Sequence, residues 1–218
     1  MPSYPPSSRV RVRRHPERGQ YDEATLHAIL DQAFLCHVGF QTDGQPYVIP
    51  TLYVRIDHAV YLHGARGARL SRVLRQKQPV AIAVTLLDGL VLARSAFHHS
   101  VNYRSVVILG QAEEIVAPEE KTSVFQALLT RLTPGRFETV RPPRADELAQ
   151  TAVFRIPLTE ASAKIRQGPP IDDPDDLTWP VWAGIWPIET RLGTPEASPD
   201  GDPSVPWPDY PVNWATRE

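Results

Sequence analysis

Three arginines spaced three residues apart follow a glycine-containing turn in the first half of the chain. Arg66, Arg69 and Arg72 come directly after the β-rich run that ends at His63-Gly64. Side chains three residues apart crowd one side of a helix, and the backbone N–H groups and dipole of a helix N-terminus favour an anion. The pattern therefore predicts a binding site for a cofactor phosphate. A solvated helix face is the alternative interpretation.

Two adjacent histidines, His98 and His99, lie in a polar segment between apolar runs. They could form a polar turn, contact a ligand, or bind a metal or haem. Adjacent residues of an extended chain point to opposite faces, so the pair is not expected to bind one ion. Ser95 and Ser100 are close in sequence, but the nucleophile elbow of a serine hydrolase is absent. Hydrolysis by a serine nucleophile is therefore not predicted.

Short strands must position these groups. Pro46 and Pro50 bracket an apolar run and predict a strand that is interrupted or at an edge, with backbone groups free to meet a ligand. Asp43-Gly44 and Asp88-Gly89 are hairpin signals. Six strands are predicted in all, at residues 34–40, 47–49, 60–63, 80–87, 90–97 and 103–115. Short turns between them favour a mainly β fold with flanking helices, a six-stranded antiparallel barrel, over a doubly wound sheet.

Helices are predicted at the periphery of this barrel. Asp22 is a candidate N-cap for a helix over residues 23–32, and further helices are expected over 68–76 and 118–132. Residues 134–147 are rich in Pro and Arg and predict a loop. Residues 152–157 predict a last strand that could close the barrel.

The two ends of the chain differ in composition from the middle. Residues 1–20 predict an arm that is solvated, pairs with a partner subunit or binds a nucleotide tail. Residues 21–166 form the predicted domain. Residues 167–218 hold eleven of the 23 prolines and all five tryptophans, which predicts an irregular extension packed on the barrel or on a second subunit.

Composition narrows the class of protein. A net charge of −2 over 218 residues gives no overall attraction to nucleic acid. The one cysteine, Cys36, excludes an intramolecular disulfide and a cysteine-based zinc site, and its apolar neighbours predict a buried core residue. No apolar run reaches the ~20 residues of a membrane span, and the N-terminus lacks a secretory signal. A cytoplasmic protein is expected.

Four segments, taken in order and spacing, carry a resemblance to a known family. They are Gly44-Gln45-Pro46-Tyr47-Val48-Ile49-Pro50, Tyr61-Leu62-His63-Gly64-Ala65, Arg69-Leu70, and Asn102-Tyr103-Arg104-Ser105-Val106 with Gly110. The chain resembles the FMN-binding split-barrel proteins related to pyridoxamine 5′-phosphate oxidase, in the branch that includes the nitroimidazole-resistance proteins. The resemblance covers residues 9–166. It implies a homodimer with FMN in clefts at the subunit interface.

The resemblance also implies a set of site residues. The segment from Val48 to Thr51 would run beside the flavin ring and offer it backbone hydrogen bonds. Arg69 would bind the phosphate with Ser71 or Arg72 assisting, and the strand from Tyr103 would reach the same cleft. His63 would lie beside the flavin as the candidate catalytic residue, or hydrogen-bond structurally at the barrel rim. The predicted cofactor-binding residues are Val48, Ile49, Pro50, Thr51, His63, Gly64, Arg69, Leu70, Ser71, Arg72, His98, Tyr103, Arg104 and Ser105; no metal ligand is predicted.

The function expected from this resemblance is an FMN-dependent oxidoreductase that reduces nitro-aromatic or other small electrophilic substrates, with a nicotinamide as a possible electron donor. Residues 188–218 contain no histidine for the family's C-terminal substrate motif, so oxidation of pyridoxamine phosphate itself is not predicted. Two alternatives stay open. One is a flavin-binding or sensing protein without turnover, and the other is a haem-handling split barrel that uses His98 or His99.

Overall fold

The computed structural model describes residues 7–207, 209–211 and 216–217. The strands are β1 (Gly19–Gln20), β2 (Leu35–Thr42), β3 (Gln45–Ile56), β4 (Ala59–Ala65), β5 (Val80–Leu92), β6 (Ser100–Gly110), β7 (Glu113–Ile115), β8 (Thr151–Pro157), β9 (Ala161–Arg166), β10 (Gly184–Pro187), β11 (Arg191–Leu192) and β12 (Thr216–Arg217). The α-helices are α1 (Glu23–Gln32), α2 (Arg69–Arg75), α3 (Pro118–Leu132) and α4 (Ala145–Gln150), and short 3-10 helices span Pro16–Arg18 and Pro174–Asp176.

One antiparallel sheet dominates the fold. Its strands follow the order β1-β9-β6-β5-β2-β3-β4-β8-β7, and β10 adds to β5 outside this path. The helices lie against this sheet, and the main core fills its inner side with residues from β2 to β9. The predicted fold, mainly β with flanking helices and of the split-barrel type, is confirmed, with more strands than the six expected.

The first helix forms where the sequence predicts it. Asp22 accepts a hydrogen bond from the Thr25 N–H at 2.8 Å, which satisfies one free donor of the helix N-terminus. Leu26, Ile29 and Leu30 are buried, as their helical spacing requires. The Tyr53 hydroxyl of β3 donates to the Leu30 carbonyl at 2.6 Å and ties the helix end to the sheet.

The single cysteine lies in the core, as predicted. Cys36 is fully buried on the inner side of β2. Burial raises the pKa of its thiol to about 12, because a thiolate loses its hydration there. The thiol is therefore protonated at neutral pH and is a packing group rather than a nucleophile.

Of the two alternatives predicted for the strand with Pro46 and Pro50, an interruption or an edge, the structure shows the edge. The strand is continuous over twelve residues, and its first eight pair with β2 on one side. On the other side, pairing with β4 begins only at Tyr53. Pro46 and Pro50 therefore stand in a stretch with one open edge, where a missing N–H costs no ladder hydrogen bond.

Asp88-Gly89 is not a hairpin turn. One strand, β5, runs through it, and the pairing with β6 shifts between Leu87 and Gly89 as a β-bulge. A Cβ on Gly89 would lie 3.0 Å from the Trp186 carbonyl oxygen, so the glycine lets β10 approach closely. The predicted strand over 90–97 is accordingly the second half of β5, followed by a loop.

The bounds of other strands and helices differ from the predicted ones because they depend on pairing with segments that are distant in sequence. The strand predicted over 103–115 divides into β6, which pairs with β5 and β9, and β7, which pairs with β8. The predicted loop over 134–147 runs into helix α4, which the sequence analysis missed together with β9. The predicted last strand is present as β8 and pairs with β4 and β7.

The described part of the N-terminal arm packs on the domain instead of extending into solvent. Val10 is buried, the Ser7 hydroxyl donates to Glu160, and Gly19–Gln20 pairs with β9. The amide of Val12 donates to the Tyr21 hydroxyl at 2.9 Å. Residues 1–6 of the predicted arm lie outside the described residues.

The C-terminal extension starts after β9 and stays in contact with the sheet. Buried Arg166 donates to Asn102 and to the carbonyls of Gly168 and Pro169, which fixes its first turn. The chain then returns as β10 along β5. Trp179, Trp182 and Trp186 stay largely exposed, so they do not fill the core of this protomer. Within the described residues, no helix is long and apolar enough to cross a membrane.

Replacing Lys121 with Met is expected to lower the free energy of unfolding by about 3 kcal/mol. Lys121 is 5% exposed, and its ammonium group donates to the Leu148 carbonyl at 2.9 Å and the Thr151 carbonyl at 2.7 Å. Methionine keeps the length but leaves both carbonyls at the end of α4 without this donor. Urea unfolding measures the change; Lys77→Met, at an exposed position, is the control. Equal midpoints for the two variants would contradict the anchoring role.

Candidate functional site

A cavity of about 200 Å³ lies where β3, β4 and α2 meet. Half of the predicted cofactor-binding residues line it, and they come from all three elements. The lining residues are Ile49, Thr51, Leu62, His63, Gly64, Ala68, Arg69, Leu70, Ser71, Leu74 and Phe154. The cavity therefore brings together the strand segment, the histidine and the arginine that the sequence suggested as one site.

His63 is half-buried at the wall of this cavity. Its ring meets the ring of Phe125 edge-on, with centroids 5.6 Å apart and an interplanar angle of 77°. Burial lowers the pKa of His63, because the charged imidazolium loses hydration. The imidazole is therefore neutral at pH 7, with one nitrogen able to donate and one able to accept a hydrogen bond.

Arg69 and Ser71 provide the polar groups at the α2 end. The Arg69 guanidinium carbon lies 4.3 Å from the centre of the Tyr47 ring, so a cation–π contact holds the side chain beside β3. Ser71 is buried, and its hydroxyl lies 3.5 Å from where a Cβ on Gly64 would stand. This distance is an ordinary van der Waals contact, so Ser71 packs directly beside Gly64 at the end of β4. Arg69 itself is exposed and can reach an anion at the cavity entrance.

The open edge of β3 borders the same cavity. Residues 45–52 pair only with β2 among the described strands, while Ile49 and Thr51 line the cavity. Alternate backbone N–H and C=O groups along such an edge have no ladder partner and can bond to a ligand. The hydrogen bonds to a flavin ring that the resemblance implies for this segment stay a prediction.

Four predicted residues face the opposite side of the sheet. Val48, Pro50, Tyr103 and Ser105 belong to a surface that we call the outer sheet face. Alternation and register place on it Leu35, His37, Gly39, Val48, Pro50, Leu52, Ala81, Ala83, Thr85, Leu87, Tyr103, Ser105, Val107 and Leu109. None of these is Asp, Glu, Lys or Arg, and Val48 is 68% exposed. Lys164 of β9 is paired with Ser105 and borders the outer sheet face on the same side.

Three further predicted residues lie away from the cavity. Arg72 is exposed on α2 and does not line it. Arg104 donates to both carboxylate oxygens of Asp88, with a shortest distance of 2.6 Å, and to the Gln32 side chain. Its guanidinium is thus engaged by the bulged part of β5 in this protomer.

His98 is the third predicted site residue that lies away from the cavity, and it belongs to the loop after β5. Its Nε2 is 3.2 Å from an Asp173 oxygen, and it forms a cluster with Asp173 and Asp176 whose ligand atoms lie within 4.8 Å of one another. The Nδ1 of His99 is 2.9 Å from the Ser95 carbonyl oxygen. The two rings use different partners, consistent with their expected divergence.

Sequence reasoning missed four lining residues: Leu62, Ala68, Leu74 and Phe154. Phe154 reaches the cavity because β8 pairs with β4, which puts it opposite Leu62. The apolar alternation of β8 predicts burial but not which strand lies beside it. Ala68 and Leu74 could have been found from the helix that carries Arg69.

A larger open groove, of about 880 Å³, lies between α1, β3 and α3. Its lining includes Asp31, Arg55 and Arg131, and Arg55 is held by two hydrogen bonds to the Asp31 carboxylate. None of the predicted site residues lines it. Its size alone therefore does not make it the candidate site.

We expect the stability of the protein to fall as the pH drops below about 6.5, the ordinary pKa of histidine, and His63→Gln to reduce this loss. The pKa of His63 is depressed in the folded state, so the unfolded chain binds the proton first and acid favours unfolding. Burial also lowers the pKa of His27. His27 remains in the variant, so part of the loss of stability at low pH remains as well. Melting temperatures at pH 8 and pH 5.5 measure the effect, at about 2–4 °C per kcal/mol.

Exposed His99→Gln is the matched control for this measurement. It should leave the difference in melting temperature between the two pH values unchanged. An unchanged difference in His63→Gln as well would show that the imidazole is not held neutral by burial.

Comparison with known proteins gives a family match. A family model described as pyridoxamine 5′-phosphate oxidase matches residues 22–165. No curated protein matches the chain.

Solved structures resemble the chain over most of its length. The flavocytochrome Anf3 from Azotobacter vinelandii is 40% identical, covering 95% of this chain and 99% of its own, with a TM-score of 0.90. The FAD and heme binding protein from Mycobacterium smegmatis is 33% identical, covering 88% and 94%, with a TM-score of 0.84. A candidate 5-nitroimidazole antibiotic resistance protein from Bacteroides thetaiotaomicron shares the fold at 23% identity, covering 66% and 84%, with a TM-score of 0.56.

Proposed function

Because the chain belongs to the pyridoxamine 5′-phosphate oxidase family, we propose that it binds a flavin nucleotide and acts as an oxidoreductase. The observation that carries this proposal is the cavity at the open edge of β3, where Thr51, His63, Arg69 and Ser71 converge. The FAD and heme binding protein, 33% identical, supports a flavin as the ligand. FMN, expected from the sequence, shares the ring and first phosphate with FAD.

Each part of the cavity has a role in this proposal. A bound flavin supplies two-electron redox chemistry. The open edge of β3 orients the polar edge of the ring, and Arg69 pairs with the phosphate. The neutral imidazole of His63 can accept or donate a proton at a ring nitrogen beside the reacting ligand. The substrates expected are small electrophiles such as nitro-aromatics, with a nicotinamide as donor.

A second copy of the chain, packed on the outer sheet face, would reach the open edge of β3 through Val48 and Pro50 and so complete the site. The cavity of about 200 Å³ is smaller than the ~300–1,000 Å³ of typical ligand pockets, so one protomer does not enclose a flavin. Over β2, β3, β5 and β6 the outer sheet face has no Asp, Glu, Lys or Arg, and it presents exposed Val48 and Val107. A continuous uncharged sheet face is suited to burial against an identical face across a twofold axis. The homodimer would also bring Tyr103 and Ser105 to the interface.

The direct test is to purify the full chain and identify its cofactor. The protein is expected to be yellow, to release FMN or FAD by mass, and to bleach when reduced by a nicotinamide. A yellow protein inert to all reductants would leave flavin binding and remove the oxidoreductase activity. Protein that is colourless and binds neither flavin when reconstituted would remove the whole proposal.

A haem site in the same protein is the second candidate. The flavocytochrome, 40% identical, and the FAD and heme binding protein support it. The Nδ1 of His99 lies within hydrogen-bond distance of the Ser95 carbonyl, an arrangement that fixes the tautomer of metal-binding histidines and leaves Nε2 to ligate. Haemin titration should then give a Soret band that His99→Ala loses. A band unchanged in both His98→Ala and His99→Ala would remove these histidines as ligands, and the absence of a saturable band in the wild type would remove the haem site.

A further inference from the structure

A second cavity is lined by Phe125, the residue whose ring contacts His63. It has a volume of about 330 Å³ and lies between helix α3, the loop over residues 133–144 and helix α4, with one side open. Its apolar lining consists mainly of Phe125, Leu128, Leu129, Phe137, Val140 and Leu148. None of its lining residues lines the proposed flavin site.

The charged groups in its lining neutralise each other. Arg141 donates to both carboxylate oxygens of Glu147, at 2.8 and 3.0 Å, and the amide of Arg144 adds a bond of 2.8 Å. The hydrogen bond from Arg141 lowers the pKa of Glu147 to about 2, so the pair stays ionised at neutral pH. The cavity therefore offers a ligand no unpaired charge, which disfavours ions and favours a neutral molecule.

Size and shape narrow the ligand further. A volume of about 330 Å³ is at the lower end of the range of small-molecule pockets, which suits a molecule of one or two rings. Phe125 and Phe137 provide aromatic walls, against which a flat aromatic molecule packs well. We propose that this cavity binds a neutral aromatic small molecule.

Phe125 connects this cavity to the candidate flavin site. Its ring lines the second cavity, and it also contacts the ring of His63, which lines the first. One aromatic side chain thus lines the second cavity and contacts a residue of the first. If the flavin site is as proposed, an aromatic substrate bound in the second cavity lies against Phe125, one side chain away from His63. Binding of the aromatic molecule does not itself require the flavin.

The test is the binding of 6-propionyl-2-(dimethylamino)naphthalene, a neutral two-ring probe that fluoresces more strongly and at shorter wavelength in apolar surroundings. It is excited at a wavelength that tryptophan does not absorb. The wild-type full chain should bind it saturably at one probe per protomer. Val140→Trp and Leu129→Trp fill the cavity from the loop and from α3, and each should weaken binding at least tenfold. Val116→Trp, at a valine that is 77% exposed between β7 and α3, should bind as the wild type does.

Circular dichroism and melting temperature identify any variant that fails to fold. If one of the two filling variants does not fold, the other still tests the inference. No saturable binding to the wild type overturns the inference, as does equally tight binding to both filling variants. Flavin content is measured on the same samples. Flavin-free protein that still binds the probe removes the proposed function alone, whereas flavin-loaded protein that does not bind it removes this inference alone.

Discussion

Arg69→Ala is expected to raise the dissociation constant for the flavin about 10- to 100-fold. The guanidinium lies 4.3 Å from the centre of the Tyr47 ring, at the entrance of the cavity that holds His63 and Ser71. A charge-assisted hydrogen bond to a phosphate contributes about 1.5–3 kcal/mol, and alanine removes it together with the cation–π contact that positions it. Fluorescence titration of the flavin-free protein measures the change.

Arg11→Ala is the matched control, because Arg11 is an exposed arginine of the N-terminal segment. It removes the same formal charge without touching the cavity, so it should bind the flavin nearly as the wild type does. Arg69→Lys should recover part of the affinity, since it restores the charge but not the planar fork. Equal retention by Arg69→Ala and Arg11→Ala would remove the phosphate assignment.

Val107→Asp is expected to convert the proposed homodimer into monomers and to release the flavin with it. Val107 is 40% exposed at the centre of the outer sheet face, opposite Ala83 of β5. In a twofold dimer the substitution would bury two unpaired carboxylates, which costs several kcal/mol and weakens association more than about 100-fold. Light scattering gives the mass, and flavin absorbance on the same sample gives the occupancy.

Val116→Asp adds the same charge at an exposed valine outside this face and should keep both mass and flavin. Two results would contradict the proposal. Monomers of Val107→Asp that retain the flavin would show that one protomer suffices for binding. Dimers of Val107→Asp would show that the outer sheet face is not the interface.

Local signals predicted the elements that depend on a few neighbouring residues. Asp22 caps α1 at the expected position, and α3 has the predicted bounds. Asp43 and Gly44 adopt φ values of 51° and 77°, as a tight hairpin requires. Each of these features is decided by backbone preference and hydrogen bonds within a few residues. The order of the motifs also sufficed to identify the family.

Pairing between distant segments decided what the sequence analysis missed. The local sequence Asp88-Gly89 predicts a turn, but pairing with β6 and β10 keeps the residues before and after it in one strand, β5. The sequence analysis predicted that Arg104 binds the cofactor, but the bulge in β5 places Asp88 where it accepts hydrogen bonds from the Arg104 guanidinium. Such outcomes depend on which strands become neighbours, and local periodicity does not contain that information.

By itself, the sequence determined the family, the β-rich class, the helices α1, α2 and α3 and the candidates His63 and Arg69, because residue types and short spacings carry these. Only the tertiary structure decided that these two residues share a cavity with Phe154 and that Phe125, which contacts His63, lines a second cavity. The physical reason is that β4 pairs with β8, about 90 residues later in the chain, and this pairing assembles the walls of the site.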